Sequence, residues 1–534
     1  MLGRTLIALG AVLALLPATA RAALIQERGP LLSATNGIAL GPDGNLWVTE
    51  EFNGSVVRMT PGGTVLNRYS VGNNPTSVTA GAGGSVWVSI PGANKLVWFD
   101  ATAGTPTAHD GPTGLACGPV AVVDGGDGRI YFSMPACGRI GSVKADGTDL
   151  AAPVAGRGTV YDLAVSSGKL FAPDFDNNLI RRMPLSATLP VEAVASTMDS
   201  PDGIAASSDG TLWITLYGSG RVAKLAPGFG NGTPATELTP TGGTLSGAFG
   251  IVAGNDGRIY VTGKDSANVA RVDASGNWQF FPTGGQPWQI VNGPDGDLFF
   301  TDQSSTRILR FLSGPPRAST GVATAVAASA ASASATVDTR GNATQVVFDY
   351  GPTSTYGATT APVTLPAADG GAPVTVVLSG LAAGTTYHVR VRATNEEGSV
   401  AGADTSFATP PVPLKVLTAR ATFGWAFVGA RTALRKVEIT GLAGGETAKV
   451  TCKGKGCPFK SKTYKNLKKG KKSLSSRFGL KRKLAKGTKV TILVTKPGAI
   501  GTNALLTVRG RKQDPKITRS CLQPGAKKTS RCPT

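Results

Sequence analysis

The sequence predicts an all-β protein of several domains, and three observations support this prediction. The chain has 534 residues, which is more than one hydrophobic core normally organises. Its 71 glycines and 35 prolines favour turns over long helices. A turn of the Pro-Asp-Gly type recurs through the first half of the chain, and each copy precedes a strand that carries an aromatic residue. This pattern is typical of short antiparallel strands.

The first element is an export signal, predicted over residues 1–22. Arg4 precedes the apolar run TLIALGAVLALL, and the following PATARA offers small residues for cleavage after Ala20 or Ala22. The apolar run is shorter than a membrane-spanning helix, and no later run of the sequence has the length to cross a bilayer. We therefore expect a secreted or cell-envelope-associated protein without a transmembrane segment.

Seven copies of one unit follow and predict a seven-bladed β-propeller over residues 23–313. The first residues of the turns are Asp43, Gly83, Asp127, Ser167, Asp209, Asp256 and Asp295, which lie 39 to 47 positions apart. Each unit reads as an apolar strand, the turn, an aromatic-bearing strand and two further strands, as expected for a four-stranded blade. The seventh copy lacks a fourth strand, so we expect the N-terminal segment AALIQERG to complete it and close the ring.

An aromatic residue lies four positions after the first residue of every turn. These residues are Trp47, Trp87, Tyr131, Phe171, Trp213, Tyr260 and Phe299. Their repeated mid-strand position favours packing between blades over a ladder for stacking sugars.

Six cysteines in an exported chain predict three disulfides. Proximity along the chain suggests the pairs Cys117–Cys137, Cys452–Cys457 and Cys521–Cys532. A zinc site formed by the last four cysteines is the alternative interpretation.

Two further domains are predicted after the propeller. Residues 378–398, LSGLAAGTTYHVRVRATNEEG, resemble the tyrosine-corner and F-strand region of fibronectin type III domains. The matching residues are Leu381, Gly384, Tyr387, Val389, Val391, Ala393, Asn395 and Gly398. The resemblance implies a β-sandwich over residues 317–411 that acts as a spacer or adhesion unit. Residues 412–534 alternate in polarity and contain four cysteines, which predicts a small disulfide-braced β module.

The net charge of +21 belongs to this last module. Residues 412–534 have 30 Lys and Arg against 3 acids, whereas the first 411 residues have 24 against 30. This excess predicts binding to an anionic cell-envelope polymer or to phospholipid headgroups, and a merely solubilising surface is the alternative. Nucleic acid is not an expected partner of an exported protein. The predicted polyanion-binding residues are Lys468, Lys469, Lys471, Lys472, Lys481, Arg482 and Lys483.

Candidate functional residues lie where the first two strands of each blade should meet the central channel. Seven positions before each turn, with a one-residue shift in blade four, are Asn36, Thr76, Val120, Tyr161, Asp202, Phe249 and Trp288. Seven positions after each turn are Glu50, Ile90, Met134, Asp174, Leu216, Gly263 and Asp302. Of the first set, Asn36, Tyr161, Asp202, Phe249 and Trp288 are predicted to bind a small ligand or peptide. Glu50, Asp174 and Asp302 are predicted to bind Mg²⁺ or Ca²⁺, the alternative being acids that only end strands.

The units NGIALGPDGNLWVTE and PWQIVNGPDGDLFFTD are similar to blades of the virginiamycin B lyase family, over roughly residues 23–313. The resemblance implies a Mg²⁺-assisted elimination that linearises a cyclic depsipeptide, with a histidine entering a late blade and a glutamate fourteen residues later. The matching positions here are Trp288 and Asp302, and blade one has Asn36 and Glu50 at the same spacing. An indole and a neutral amide cannot replace the histidine as a general base.

We therefore expect a binding propeller without catalysis, and two enzymatic alternatives remain. The first is a lyase-like carbon–oxygen elimination, for which Glu50 and Asp302 are the candidate catalytic residues. The second is a metal-dependent, lactonase-type hydrolysis that uses Glu50, Asp174 and Asp302. Convergence of these carboxylates with Asp202 on one point would favour the hydrolase.

Overall fold

A computed structural model describes residues 25–30, 32–186, 188–304, 306–479, 481–510 and 512–533. The predicted export signal lies outside the described residues. The chain divides into two compact units, Met1–Gly380 with Thr386–Ala408, and Leu381–Thr385 with Thr409–Thr534. Strands dominate both units, as the sequence predicts. Within the described ranges, no helix has the length and apolar character needed to cross a membrane.

Seven antiparallel blades form the first part of the first unit. Blade one consists of Thr35–Leu40, Leu46–Glu50, Ser55–Met59 and Val65–Ser70. Blade two consists of Val78–Gly81, Ser85–Ile90, Lys95–Asp100 and Ala108–Asp110. Blade three consists of Val122–Asp124, Arg129–Met134, Arg139–Lys144 and Ala151–Val154. Blade four consists of Ala164–Ser166, Lys169–Asp174, Leu179–Pro184 and Ala193–Ser196, and the short strand Thr233–Pro234 pairs with the last of these. Blade five consists of Pro201–Ala206, Leu212–Leu216, Arg221–Leu225 and Thr236–Leu238. Blade six consists of Ala248–Ala253, Ile259–Gly263, Asn268–Val272 and Trp278–Pro282.

Blade seven closes the ring with a strand from the other end of the propeller sequence. Its strands are Pro287–Asn292, Leu298–Asp302, Arg307–Phe311 and the N-terminal Ile25–Arg28. Ile25 lies opposite Phe311 in an antiparallel register. The first strands of all neighbouring blades pack together, including those of blades seven and one. The predicted closure is therefore confirmed, and it covers what would otherwise be an open sheet edge.

The repeated aromatic residues form the core between blades. All seven are at most 5% exposed, namely Trp47, Trp87, Tyr131, Phe171, Trp213, Tyr260 and Phe299. The ring of Trp47 in blade one lies 5.1 Å from that of Phe99 in blade two, measured between centroids. Tyr260 and Phe311 make the same kind of contact between blades six and seven, at 5.5 Å. The predicted packing role is confirmed.

The three predicted disulfides are present. They join Cys117 to Cys137, Cys452 to Cys457 and Cys521 to Cys532. The first braces blade three, where Cys137 ends the short 3₁₀ helix Pro135–Cys137. Two similar 3₁₀ turns, Ala82–Gly84 and Pro91–Ala93, flank a strand of blade two. Because every sulfur of the last four cysteines is bonded to another, the zinc alternative is excluded for them.

A β-sandwich completes the first unit. One sheet contains Arg317–Thr320, Ala330–Asp338 and Gly371–Ser379, and the other contains Thr344–Gly351, Ala358–Thr359, Val363–Leu365, Thr386–Asn395, Gly398–Ala401 and Thr405–Ala408. Phe348, Leu378 and Val391 are buried in this part of the chain. The fibronectin type III resemblance stays a prediction.

Ion pairs with low exposure fix the sandwich to the propeller. Glu397 is 2% exposed at its side chain and pairs with Arg271 at 2.7 Å, and also with Arg258. In the opposite direction, the fully buried Asp297 of blade seven pairs with Arg340 of the sandwich. These carboxylates hold guanidinium groups from the other part of the unit, so charge-assisted contacts join the two parts within one compact unit.

The second unit contains two sheets around one apolar core. The sheets consist of Arg420–Val428, Arg431–Leu442, Gly470–Ser473 and Lys483–Leu484, and of Glu446–Lys453, Ser461–Leu467, Lys489–Thr495, Gly501–Thr507 and Lys516–Leu522. A short helix, Ser475–Phe478, buries Phe478 in the core beside Val450 and Ile492. The predicted small β module is confirmed.

Candidate functional site

A pocket of about 430 Å³ lies where the first strands of the blades surround the channel. Its lining includes all seven residues that precede the turns by the predicted spacing: Asn36, Thr76, Val120, Tyr161, Asp202, Phe249 and Trp288. Asp162, Phe175, Tyr217 and Gln289 also line it and were not predicted. The sequence repeat therefore placed one complete column of side chains correctly at a single pocket.

A β-bulge directs this column into the channel. In blade one Thr35 pairs with Glu50 and Ile38 with Val48, so that Asn36 and Gly37 together oppose Thr49. The same irregularity occurs at the start of blades five, six and seven. At each bulge, two residues of the first strand face a single residue of the second strand, which displaces the first strand from the regular pleat. The first of these two residues then lines the pocket.

Hydroxyl groups hold the bulges and join neighbouring blades. Gly37 N donates to Thr49 Oγ1 at 2.7 Å, and the same hydroxyl donates to Thr76 O of blade two at 3.0 Å. The equivalent residues are Thr49, Ser89, Ser133, Thr215, Thr262 and Thr301, with Pro173 in blade four. Sequence reasoning missed them, although a Ser or Thr six positions after the turn in six of seven units was a readable signal.

The column that follows the turns does not line the pocket, contrary to the prediction. Glu50 and Asp174 are fully buried, and Asp302 is 1% exposed. Successive side chains of a strand point to opposite faces, so the residue eight positions after the turn faces the channel instead. Phe175 and Tyr217 occupy this position in blades four and five.

Each of the three carboxylates has partners close to it. The contacts are Glu50 with Arg68 (2.8 Å), Asp174 with Arg181 (2.6 Å) and Asp302 with Ser304 (2.8 Å). In the described part of the chain, no three His, Cys, Asp or Glu side chains form a group that could hold a metal ion. The structure therefore does not bring Glu50, Asp174 and Asp302 together as the predicted Mg²⁺ or Ca²⁺ site, and we assign them no metal-dependent step.

Two other carboxyl groups, Asp162 and Asp202, do line the pocket. Asp162 accepts hydrogen bonds from Ile204 N at 2.9 Å and from Leu163 N at 2.8 Å. Asp202 is 6% exposed and receives no hydrogen bond from the described residues. Burial raises the pKa of Asp162 to about 6, and burial together with the charge of Asp162 raises the pKa of Asp202 to about 7.

Aromatic rings from blades four to seven form one wall of the pocket. The ring centroids of Phe249 and Trp288 are 4.0 Å apart, and the Nζ atom of Lys264 lies 4.5 Å from the Trp288 ring. Tyr161 contacts Phe175 edge-on at 5.7 Å. Blades one to three contribute the smaller Asn36, Thr76 and Val120, so the pocket is asymmetric. The large flat surfaces and the two carboxyl groups occupy the same side.

Neither of the two histidines of the chain lines this pocket. His109 stacks on Trp98 in the outer part of blade two, with centroids 4.4 Å apart. His388 Nδ1 lies 2.7 Å from Asp404 in the sandwich. Proton transfer within the pocket would therefore depend on its carboxyl groups and on the hydroxyls of Tyr161 and Tyr217.

Part of the propeller is similar to one known protein family. Residues 30–233 match the virginiamycin B lyase family. The virginiamycin B lyase of Nocardia farcinica (strain IFM 10152) is 32% identical over 126 residues, which are 23% of this chain and 42% of that protein. The match thus spans less than half the length of this curated relative.

Two solved structures are similar to about half of this chain. A streptogramin B lyase structure is 22% identical with a TM-score of 0.46, covering 54% of this chain and 96% of its own. A catalytically inactive virginiamycin B lyase from Staphylococcus aureus with quinupristin is 19% identical with a TM-score of 0.47, covering 54% and 98%.

Proposed function

We propose that this protein is a secreted binding propeller. Its ligand occupies the channel pocket and is released without chemical change. The supporting observation is the composition of the lining, which combines aromatic faces with two carboxyl groups and contains no histidine. Such a pocket can enclose an apolar ligand and orient it through a few polar contacts. It lacks the histidine that the resemblance to the virginiamycin B lyase family implies as the general base.

A ring-opening assay tests the absence of catalysis. We expect a streptogramin B antibiotic, incubated with the full-length protein and Mg²⁺, to remain cyclic. Chromatography coupled to mass spectrometry is needed, because an elimination changes retention and fragmentation without changing mass, whereas hydrolysis adds one water. Enzyme-level conversion by either route would contradict the proposal, and the mass of the product would identify the lyase or the hydrolase.

A lyase-like elimination is the second candidate function, and Asp202 is the reason to retain it. Its raised pKa, to about 7, makes this carboxylate a stronger base than an ordinary aspartate. If ring opening occurs, we expect Asp202→Asn to abolish it, while Glu50→Gln and Asp302→Asn act only through stability because neither residue lines the pocket.

We further propose that the second unit attaches the protein to an anionic cell-envelope polymer or to phospholipid headgroups. Among the described residues of the second unit, one ion pair occurs, between Lys436 and Glu438. Most basic side chains described in this unit therefore have no acidic partner within it. Lys453 lies directly opposite Lys489 in the sheet, an unfavourable pairing that a bound anion would relieve. Lys468, Lys469, Lys471, Lys481, Arg482 and Lys483 are exposed, and Lys472 is half-buried beside Tyr464.

Attachment should be sensitive to salt. We expect anionic wall polymer or acidic liposomes to retain the full-length protein at low salt and to release it near about 0.5 M, where screening acts within a few Å. Replacing Lys468, Lys469, Lys471 and Lys472 by Ser should lower the salt needed for elution. The matched control replaces Lys95, Lys144, Lys169 and Lys224 of the propeller, with the same charge change. Equal shifts in both variants would indicate a general charge effect and contradict a dedicated binding surface.

A further inference from the structure

The most unusual group in the pocket is the carboxyl of Asp202. Only 6% of the residue is exposed, and the carboxyl lines the cavity without a hydrogen bond from the described residues. Buried carboxylates are normally paired or hydrogen-bonded because their desolvation is otherwise uncompensated. Asp162 differs, because two backbone N–H groups already donate to it. Asp202 therefore has both oxygens available to a molecule in the pocket.

No cation among the described residues pairs with this carboxyl. Lys264 lies beside the pocket wall, but its Nζ is over the Trp288 ring, and among the described residues it is not one of the charges that shift the pKa of Asp202. The negative charge of Asp162 also raises the pKa of Asp202, so the two carboxyl groups together make this end of the pocket negative. The pocket thus has an uncompensated negative end that favours a positively charged guest.

The aromatic wall adds to this preference. Tyr161, Phe175 and Tyr217 form a continuous row across blades four and five, with centroid separations of 5.7 and 6.3 Å. Ring faces attract ammonium groups, and they also cover the apolar body of a ligand. The carboxyl groups and the rings lie in the same blades, so one ligand could contact both.

We propose that the pocket takes a ligand with a protonated amine on an apolar body, the amine donating hydrogen bonds to Asp202 with Asp162 close by. This inference rests on the proposed binding function and specifies the chemistry of the ligand. The apolar body lies against the aromatic wall, towards Phe249 and Trp288. The volume of about 430 Å³ exceeds that of a simple amine and suits a ligand of several ring systems or a short peptide.

Two probes with the same ring and chain, one ending in a charged ammonium and the other in a neutral hydroxyl, test the proposal. We expect 3-phenylpropylammonium to bind the full-length protein about tenfold more tightly than 3-phenylpropanol at pH 8, the gain of a hydrogen-bonded ion pair. Ligand-observed NMR titration measures both affinities. The alcohol retains the aromatic ring and the chain length, so it reports the contribution of the apolar wall.

Substitutions assign the preference to the carboxyl. In Asp202→Asn the two probes should bind within about twofold of each other, because the neutral amide retains the shape but not the charge. Asp199→Asn is the matched control, an exposed aspartate in the same region that does not line the pocket. It should retain the wild-type preference. Binding of the alcohol to Asp202→Asn also verifies that the pocket is intact.

The preference should fall between pH 8 and pH 5. The groups that face the pocket or its rim are Asp162, Asp202, Tyr161, Tyr217, Lys264, and Asp176 and Glu51 near its edge. The two pocket carboxyls gain protons in this range, whereas the ammonium probe keeps its charge throughout. Affinity for the alcohol should change little over the same range.

The outcomes separate this inference from the function on which it rests. If alcohol and ammonium bind equally to the wild type, the pocket binds ligands but does not select amines, and the inference is overturned alone. If neither probe binds even at the highest concentration of the titration, the inference and the proposed binding function both fail. A preference that survives in Asp202→Asn would show that another group recognises the amine and would also overturn the assignment.

Discussion

The Asp202→Asn variant should be more stable than the wild type at pH 8 and should lose this advantage below about pH 4. The pKa of Asp202 is raised to about 7 in the folded protein, whereas an aspartate in an unfolded chain titrates near 4. Between these values the folded state binds more protons than the unfolded state. The wild type therefore loses stability as the pH rises through this range, and the loss is complete above pH 7.

The expected gain follows from the size of the shift. About three pKa units correspond to an upper value of about 4 kcal/mol. The amide of Asn remains unpaired in the same place, which reduces the net benefit to about 1–3 kcal/mol at pH 8. Thermal unfolding of the full-length protein from pH 4 to pH 8 measures the effect. A wild type and variant with parallel pH profiles would contradict the assignment, as would an equal gain in Asp199→Asn.

Replacing Asp297 by Ala should lower the free energy of unfolding by about 3–5 kcal/mol, because it leaves the buried guanidinium of Arg340 without its carboxylate and removes one of the two carboxylates that pair with Arg310. Asp297 is fully buried and accepts a hydrogen bond from Arg310 Nε at 2.9 Å. It also pairs with Arg340 of the sandwich and accepts a hydrogen bond from Ser313 N at 3.2 Å. The substitution therefore affects blade seven and its junction with the sandwich at once.

The control for this prediction lies two residues earlier in the same turn. Asp295 is about half exposed and is 3.6 Å from Arg317, which is also exposed. Exposed pairs of this kind contribute little, so Asp295→Ala should cost less than about 1 kcal/mol. Denaturant unfolding of both variants, followed by tryptophan fluorescence, compares them directly. Equal losses would show that the buried ion pairs of Asp297 are not what holds this junction.

The sequence by itself determined the repeat and much of what depends on it. Seven turns at a regular spacing specify seven blades, and the truncated last unit requires a strand from the N-terminal segment. The aromatic column, including Trp47 and Tyr260, could be assigned to the core because a position repeated in every blade experiences the same packing. The same periodicity identified the pocket column from Asn36 to Trp288. All these inferences need only local pattern and symmetry.

Only the tertiary structure decided which acids face the pocket. Glu50 and Asp302 look equivalent to ligand-lining residues in the sequence, but the pleat turns them into the blades, where Arg68 and Ser304 contact them. A shift of one residue along a strand moves a side chain to the opposite face of the sheet. The bulges decide which residues face the pocket, and the sequence does not reveal them. Asp162 and Asp202 are 40 residues apart in sequence and meet through the packing of blades four and five. Burial raises the pKa of Asp162, and burial together with the charge of Asp162 raises the pKa of Asp202, conditions that exist only once the ring has closed.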